Sequence, residues 1–150
     1  MVELRKVAHR GGVEHVAYGL YRFEDIQRTD RDQYMEAVLR VGTDAYLTHD
    51  AVLALHDLGL VNPRRIRVGT PKRVRPQLPA YIEVVQRRLE PVDLTAYEGI
   101  PSATVARALL DCRGLVMRDR LVEAGQEAAR QGLLRRSEAG RILAELESAA

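Results

Sequence analysis

The 150-residue chain lacks the features of secreted and membrane-spanning proteins. It has one cysteine, Cys112, which excludes an intramolecular disulfide framework. No apolar stretch approaches the roughly 20 residues that a helix needs to cross a bilayer. The N-terminal segment MVELRKVAHRGG has no apolar region typical of a secretory signal. These absences predict a cytoplasmic protein that does not associate with membranes.

The chain also lacks the short motifs of several enzyme classes. It contains no glycine-rich phosphate loop, no serine nucleophile elbow and no paired-cysteine metal site. Cys112 lies on the apolar side of a predicted helix, so we interpret it as an unreactive core residue. The sequence therefore predicts a protein that is not an enzyme and that carries no cofactor and no metal.

The composition that remains is that of a folded domain. Hydrophobic residues make up 46% of the chain and charged residues 29%, which argues against disorder. The length is sufficient for one domain with its own core, or for one domain and a fragment of another.

Positive charge is concentrated in the middle of the chain. The net charge of +2 does not by itself indicate a nucleic-acid-binding protein. However, residues 64–88 carry eight basic side chains and one acidic one, Glu83, whereas residues 1–63 carry seven basic and ten acidic ones. Such a concentration can create a local field that attracts anions.

Hydrophobic periodicity and turn residues predict the order of the elements. Residues 3–9 read as the end of a helix that stops at Gly11-Gly12. Residues 13–23 read as a hairpin that reverses at Tyr18-Gly19. A helix over 31–41 follows, and then a helix with Thr48 as its N-cap that ends at Gly59.

The second half of the chain changes from strands to helices. Strands are predicted over 66–71, over 81–89 and around Ile100, and an exposed loop or a hairpin connection joins the first two. Helices are predicted from Ala103 to Cys112, over 118–131 and over 137–148. These elements predict an α/β (α+β-like) fold with a small mixed or antiparallel sheet, four or five flanking helices and a preceding hairpin.

Two segments of the chain share the pattern of a known family. The first motif, residues 48–59, reads THDAVLALHDLG, and the second motif, residues 99–111, reads GIPSATVARALLD. In these motifs and in their spacing the chain resembles the AbiEi-type antitoxins, in which a winged helix precedes a larger domain. The chain departs from the family pattern at Thr48 (usually serine), Val105 (frequently proline) and Ala108 (usually threonine).

The resemblance implies a domain organisation and a function. Residues 1–26 correspond to a partial winged helix, namely the end of the recognition helix and the wing, and residues 31–148 to the antitoxin domain. The two earlier helices of the winged helix are missing, which implies a truncated chain, a misassigned start or a degenerate copy. The implied function is that of a non-catalytic antitoxin and transcriptional autoregulator of a type IV toxin–antitoxin system. Its implied partners are promoter DNA, if the winged helix is completed upstream, and a nucleotidyltransferase-like toxin that it need not bind directly.

Two groups of residues are candidates for contact with nucleic acid. The wing and the helix before it offer Lys6, Arg10, His15, Tyr18 and Arg22. The mid-chain basic run consists of Arg64, Arg65, Arg67, Lys72, Arg73 and Arg75. The run fits either an anion-binding surface or the charged solvent face of an edge hairpin.

Four residues of the two motifs are candidates for a structural role. His49 and His56 are seven residues apart on a predicted helix, which spans about 10.5 Å and is too far for a single metal ion. We expect His49 to hydrogen-bond to backbone beside the helix cap. Arg107 and Asp111 are four residues apart and predict an ion pair on one helix face, which would orient the helix against the sheet if partly buried.

Two other functions remain open at the level of the sequence. The chain fits a nucleic-acid-processing protein, related to domains that precede a nuclease module but lacking that module. It also fits a nucleic-acid-binding module that acts through the basic 64–75 segment.

Overall fold

A computed structural model describes residues 13–16, 20–23, 30–73 and 77–148. The chain forms two compact units, Met1–Glu36 and Ala37–Ala150. In the first unit, β1 (Val13–Val16) pairs antiparallel with β2 (Leu20–Phe23). The antiparallel pairing of the two predicted strands is therefore confirmed. The helix end predicted over 3–9 and the turn at Tyr18-Gly19 lie outside the described residues.

The helix α1 spans Asp30–Val41, within one residue of the predicted range 31–41. Its first residues belong to the first unit and its last residues to the second. The second unit then runs through nine further helices and strands. They are β3 (Tyr46–Leu47), α2 (Asp50–Leu55), β4 (Ile66–Thr70), β5 (Ile82–Gln86), β6 (Leu94–Tyr97), β7 (Ile100–Ala103), α3 (Val105–Asp111), α4 (Arg118–Arg130) and α5 (Arg136–Ser148). A short 3₁₀ helix, Pro91–Asp93, precedes β6.

The strands of the second unit form one mixed sheet in the order β5-β4-β3-β7-β6. The pairs β3–β4 and β6–β7 are antiparallel, whereas β3–β7 and β4–β5 are parallel. With five α-helices in the described part of the chain, this arrangement confirms the predicted α/β class.

The connection between β4 and β5 is a crossover, so the predicted hairpin alternative is wrong. The two strands run parallel, with Ile66 opposite Ile82 and Thr70 opposite Gln86. Parallel strands cannot be joined by a tight turn, because the chain must return to the same end of the sheet. The strand β4, which carries Arg67, lies inside the sheet, and β5 is one of its two edge strands.

The core of the second unit lies between the sheet and its helices. The helix α2 packs against β4 and α3, α3 packs against α4 and α5, and α4 packs against α5. Among the fully buried residues are Leu47, Val52, Leu53, Leu58, Val68, Leu109, Cys112, Leu121, Ile142 and Leu146. The prediction that Cys112 is buried is confirmed, and burial raises the pKa of its thiol well above the usual range.

The ends of α2 differ from the prediction. His49, not Thr48, is the N-cap, and its side chain makes no capping hydrogen bond. Thr48 directly follows β3, and its N–H donates to the carbonyl of Arg67 of β4 at 3.1 Å. The helix ends at Leu55 rather than at Gly59.

The aromatic ring of Tyr46 lies directly over Gly69, its partner in the β3–β4 pair. A Cβ atom at position 69 would collide with that ring, and the Tyr46 hydroxyl donates to the carbonyl of Arg87 at 2.6 Å. We expect Gly69→Ala to lower the free energy of unfolding by about 1–3 kcal/mol through overpacking. Urea denaturation measures this, with Gly140→Ala in α5 as the control, because within the described residues that added methyl has no neighbour within 4 Å apart from its chain neighbours and the backbone of its own helix. Equal effects of the two substitutions would contradict the close packing of Tyr46 on Gly69.

Candidate functional site

The turn between β3 and α2 holds His49 in an uncommon backbone conformation. The N–H of Ala51 donates to the carbonyl of Thr48 at 3.2 Å, and His49 has φ 55° and ψ −133°. A residue with a side chain rarely adopts these angles, which cost of order 1–3 kcal/mol. Such strain is found preferentially at functional sites, so the turn is a candidate site.

The imidazole of His49 is fixed by the residue before it. Its Nδ1 lies 2.9 Å from the hydroxyl of Thr48, whose side chain is buried. The prediction that His49 hydrogen-bonds to backbone is therefore wrong, because the adjacent hydroxyl takes that role. Nε2 has no hydrogen-bond partner within residues 30–73 and 77–148.

Asp111, at the end of α3, joins two guanidinium groups. Its side chain is only 7% exposed. Nε and Nη2 of Arg107 lie 3.1 and 3.0 Å from Oδ1, and Nη1 of Arg87 lies 2.9 Å from Oδ2. The predicted pair between Arg107 and Asp111 is thus present. Because Arg87 directly follows β5, the same carboxylate also links α3 to the edge strand.

A second ion pair lies at the start of α2. Nη1 of Arg67, on β4, donates to Oδ2 of Asp50 at 2.7 Å, and Nε of Arg67 lies 3.5 Å from Glu83. The other carboxylate oxygen of Asp50 is buried and has no hydrogen-bond partner in the described part of the chain. This ion pair links the first turn of α2 to β4, an inner strand of the sheet.

The charges of these ion pairs influence the pKa of His49. Burial lowers the pKa of His49, and the neighbouring charges act in both directions. Asp111 and Asp50 raise this pKa, whereas Arg87 and Arg67 lower it. His49 is therefore neutral near pH 7, and two carboxylates and two guanidiniums influence its pKa in opposite directions.

The lowered pKa values of His49 and His56 predict a loss of stability in acid. For both residues, burial places the folded-state pKa below the unfolded value of 6.5. Their contribution is therefore complete above that value and is lost as the pH falls through the folded-state pKa. We expect urea denaturation to show a smaller acid loss for His56→Gln than for the wild type. An identical pH dependence of the two proteins would contradict a depressed pKa at His56.

The structure separates the residues of the mid-chain basic run. Arg65 donates to the carbonyls of Ala80 and Ile82 at 3.0 and 3.2 Å, and Arg67 is paired with Asp50. Both guanidinium groups thus have hydrogen-bond partners within the same domain.

The remaining residues of the run are placed as follows. Lys72 and Arg73 line a cavity of about 430 Å³ together with Arg40, and the ammonium of Lys72 lies 3.5 Å from Asp44. Arg64 is exposed, and Arg75 lies outside the described residues. The basic run is therefore not a continuous group of cations without partners, because Arg65, Arg67 and Lys72 each contact another residue.

The structure describes the wing candidates only in part. His15 lies in β1 opposite Tyr21, and Arg22 lies in β2 opposite Glu14. Lys6, Arg10 and Tyr18 lie outside the described residues.

His56, the other histidine of the first motif, is placed apart from the ion pairs. It is the C-cap of α2, and its ring stacks at a tilt on Tyr97 of β6, with 4.4 Å between the centroids.

Sequence reasoning missed Asp50 and Arg87 as members of the site, and it assigned Arg67 to the basic run rather than to an ion pair with Asp50. Asp50 stands inside the first motif and Arg87 at the end of a predicted strand, but their partners are 17 and 24 residues away. Only the pairing of the strands brings these residues together.

Residues 30–73 and 77–148 contain no group of three or more His, Cys, Asp or Glu side chains arranged to hold a metal ion. None of the helices in those ranges has the length and apolar character needed to cross a membrane. Comparisons with protein-family models, curated proteins and solved structures returned no match.

Proposed function

We propose that the chain is a non-catalytic antitoxin-type regulator similar to the AbiEi antitoxins of type IV toxin–antitoxin pairs. The observation that supports this proposal is the convergence of the two motifs in space. Arg107 and Asp111 of the second motif are hydrogen-bonded to each other, and the charge of Asp111 raises the pKa of His49, which belongs to the first motif. The helices of the two motifs, α2 and α3, also pack against each other.

Both motifs thus contribute to the same part of the structure. The first motif supplies the strained turn and the helix α2, and the second supplies the capped helix α3 and its carboxylate. Thr104 caps α3 by accepting from the N–H of Arg107 at 3.2 Å, which fixes the start of the helix whose end carries Asp111. Residues that act in one shared cluster are expected to occur together, which favours the family resemblance over a coincidence of two short patterns.

The first unit supports the regulatory part of the proposal. Its two four-residue strands form the antiparallel hairpin that a wing requires. Promoter binding would need the completed winged helix, since a recognition helix is held in the major groove by the helix before it. The toxin would be a nucleotidyltransferase-like protein, countered in the cytoplasm without a stable complex.

The contacts of the basic run disfavour the alternative of a nucleic-acid-binding module acting through residues 64–75. A guanidinium contacts a phosphate through N–H donors that are not already in use. Arg65 and Arg67 instead bind backbone carbonyls and Asp50. An antitoxin-type function does not depend on this segment.

Co-expression with a toxin tests the proposal. We expect the chain to restore the growth of cells that produce the nucleotidyltransferase-like protein encoded beside its gene. Asp111→Asn should reduce this rescue, because it breaks the junction of the two motifs. Arg141→Gln should preserve it, since that arginine is exposed on α5 and lies 3.4 Å from Glu145. Failure of the chain, and of a version extended upstream, to restore growth would contradict the proposal.

A further inference from the structure

A cavity of about 430 Å³ lies between the end of α1 and the segment that follows β4. Its volume falls in the range of pockets that take small organic molecules, roughly 300–1,000 Å³. The described residues that line it include three cations, three neutral polar side chains and no acidic side chain. They are Arg40, Thr43, Thr70, Lys72, Arg73 and Gln77. Such a lining fits an anion that also carries polar groups.

The pairing of β3 with β4 brings the two walls of this cavity together. The strands are antiparallel, with Tyr46 opposite Gly69, so the turn between α1 and β3 lies beside the end of β4. The ammonium of Lys72 lies 3.5 Å from the carboxylate of Asp44 in that turn, which is a direct contact between the two walls. The cavity therefore belongs to the fold of the second unit.

Two residues of the cavity have hydrogen-bond donors that the fold does not use. Arg73 is exposed and forms no hydrogen bond or ion pair in the described part of the chain. Thr70 is only 2% exposed, and its hydroxyl accepts from the N–H of Lys72 at 3.2 Å. Within residues 30–73 and 77–148 this hydroxyl donates to no acceptor. A buried hydroxyl with an unused proton indicates a position where a ligand can supply the acceptor.

Lys72 also keeps the capacity to bind an anion. Its pair with Asp44 joins side chains that are 60% and 58% exposed, so solvent screens the attraction. An ammonium group has three protons to donate, and one contact with Asp44 leaves two of them. Thr70, Lys72 and Arg73 therefore provide unused donors from one short segment of the chain.

We propose that this cavity binds a phosphate monoester of a small polyhydroxy compound, that is, a sugar phosphate. Thr70, Lys72 and Arg73 bind the phosphate, because guanidinium and ammonium groups pair well with phosphate oxygens. Thr43 and Gln77 supply hydrogen bonds to the hydroxyl groups of the sugar. The inference concerns the second unit alone and does not depend on the antitoxin proposal.

The lining favours a sugar phosphate over a nucleotide or a nucleic acid. The described residues of the lining include no aromatic side chain, so a base has no ring on which to stack. Arg65 and Arg67, the nearby arginines of the basic run, bind backbone carbonyls and Asp50. They therefore do not extend the cations of the cavity into a continuous path for the backbone of a strand.

Calorimetric titration of the full chain tests this site. Ribose 5-phosphate is compared with ribose, inorganic phosphate, adenosine monophosphate and a short single-stranded RNA. We expect ribose 5-phosphate to bind at least about tenfold more tightly than inorganic phosphate, since its hydroxyl groups add hydrogen bonds, and ribose to give no measurable heat. Adenosine monophosphate should bind no more tightly than ribose 5-phosphate, because the lining offers its base no ring.

The variant Arg73→Gln tests whether binding takes place in the cavity. We expect it to weaken the binding of ribose 5-phosphate by about tenfold while the fold is kept, since Arg73 has no partner in the described part of the chain. Arg64→Gln is the matched control, because Arg64 is an exposed arginine of the same basic run that does not line the cavity. That variant should bind as the wild type does.

Four results would overturn the proposal. Ribose 5-phosphate would fail to bind, or inorganic phosphate would bind equally well. Adenosine monophosphate or the RNA would bind more than about tenfold more tightly than ribose 5-phosphate, which would indicate a nucleotide or a nucleic acid as the ligand. The substitutions of Arg73 and Arg64 would have equal effects, which would indicate general electrostatic attraction.

Discussion

Asp111→Asn is expected to lower the free energy of unfolding by about 2–3 kcal/mol, somewhat less than the loss for a fully buried pair. Both carboxylate oxygens are in use, one by Arg107 and the other by Arg87. An asparagine must therefore turn its NH₂ group toward one of the two guanidiniums. Because these guanidiniums are 25% and 35% exposed, water compensates part of the loss.

Urea denaturation measures this effect, with Glu127→Gln as the matched control. Glu127 accepts hydrogen bonds from Arg130 and Gln131 on the surface of α4. Screening by solvent makes such pairs weak, so we expect no measurable change for that variant. Similar stability of the two variants would show that Asp111 does not join α3 to the sheet.

Gly59→Ala is expected to lower the free energy of unfolding by about 3 kcal/mol or more, from backbone strain and overpacking together. Gly59 has φ +63°, which disfavours a side chain. An added Cβ would also lie 2.6 Å from the carbonyl oxygen of Arg120 and 2.9 Å from Cβ of Ala124. The last residue of the first motif is thus the place where the turn after α2 lies against α4.

The control for Gly59→Ala is Gly132→Ala, also measured by urea denaturation. Gly132 has φ +77°, but beyond its chain neighbours no atom of the described residues lies within 4 Å of an added Cβ. We expect this variant to lose about 1 kcal/mol, the cost of the backbone conformation alone. The difference between the two variants isolates the contact with α4, and equal losses would disprove it.

The sequence predicts those elements whose pattern is local. The strands β4 and β5 and the helices α4 and α5 have enough residues for their period to be read, and the structure contains them. The strand β3 has two residues, too few for an alternation to appear. The direction of β5 depends on its partner β4, so the parallel pairing could not be read from either strand alone.

The same difference between local patterns and long-range contacts applies to the candidate site. The pair of Arg107 and Asp111 was predictable because residues four apart lie on one helix face. The contact of Arg87 with Asp111 spans 24 residues and exists only because α3 packs beside the end of the edge strand. The role of Thr48 was mistaken since its N–H continues the ladder with β4, and this contact directs its hydroxyl to His49 rather than to a helix cap.

The junction of the two motifs at Asp111 can be tested most directly by a double-mutant cycle. The free energy of unfolding is measured for the wild type, Arg87→Gln, Asp111→Asn and the double variant. We predict a coupling energy of about 1–2 kcal/mol between the two positions, as for residues in direct contact within one network. Additive losses, with a coupling energy below about 0.5 kcal/mol, would contradict the junction.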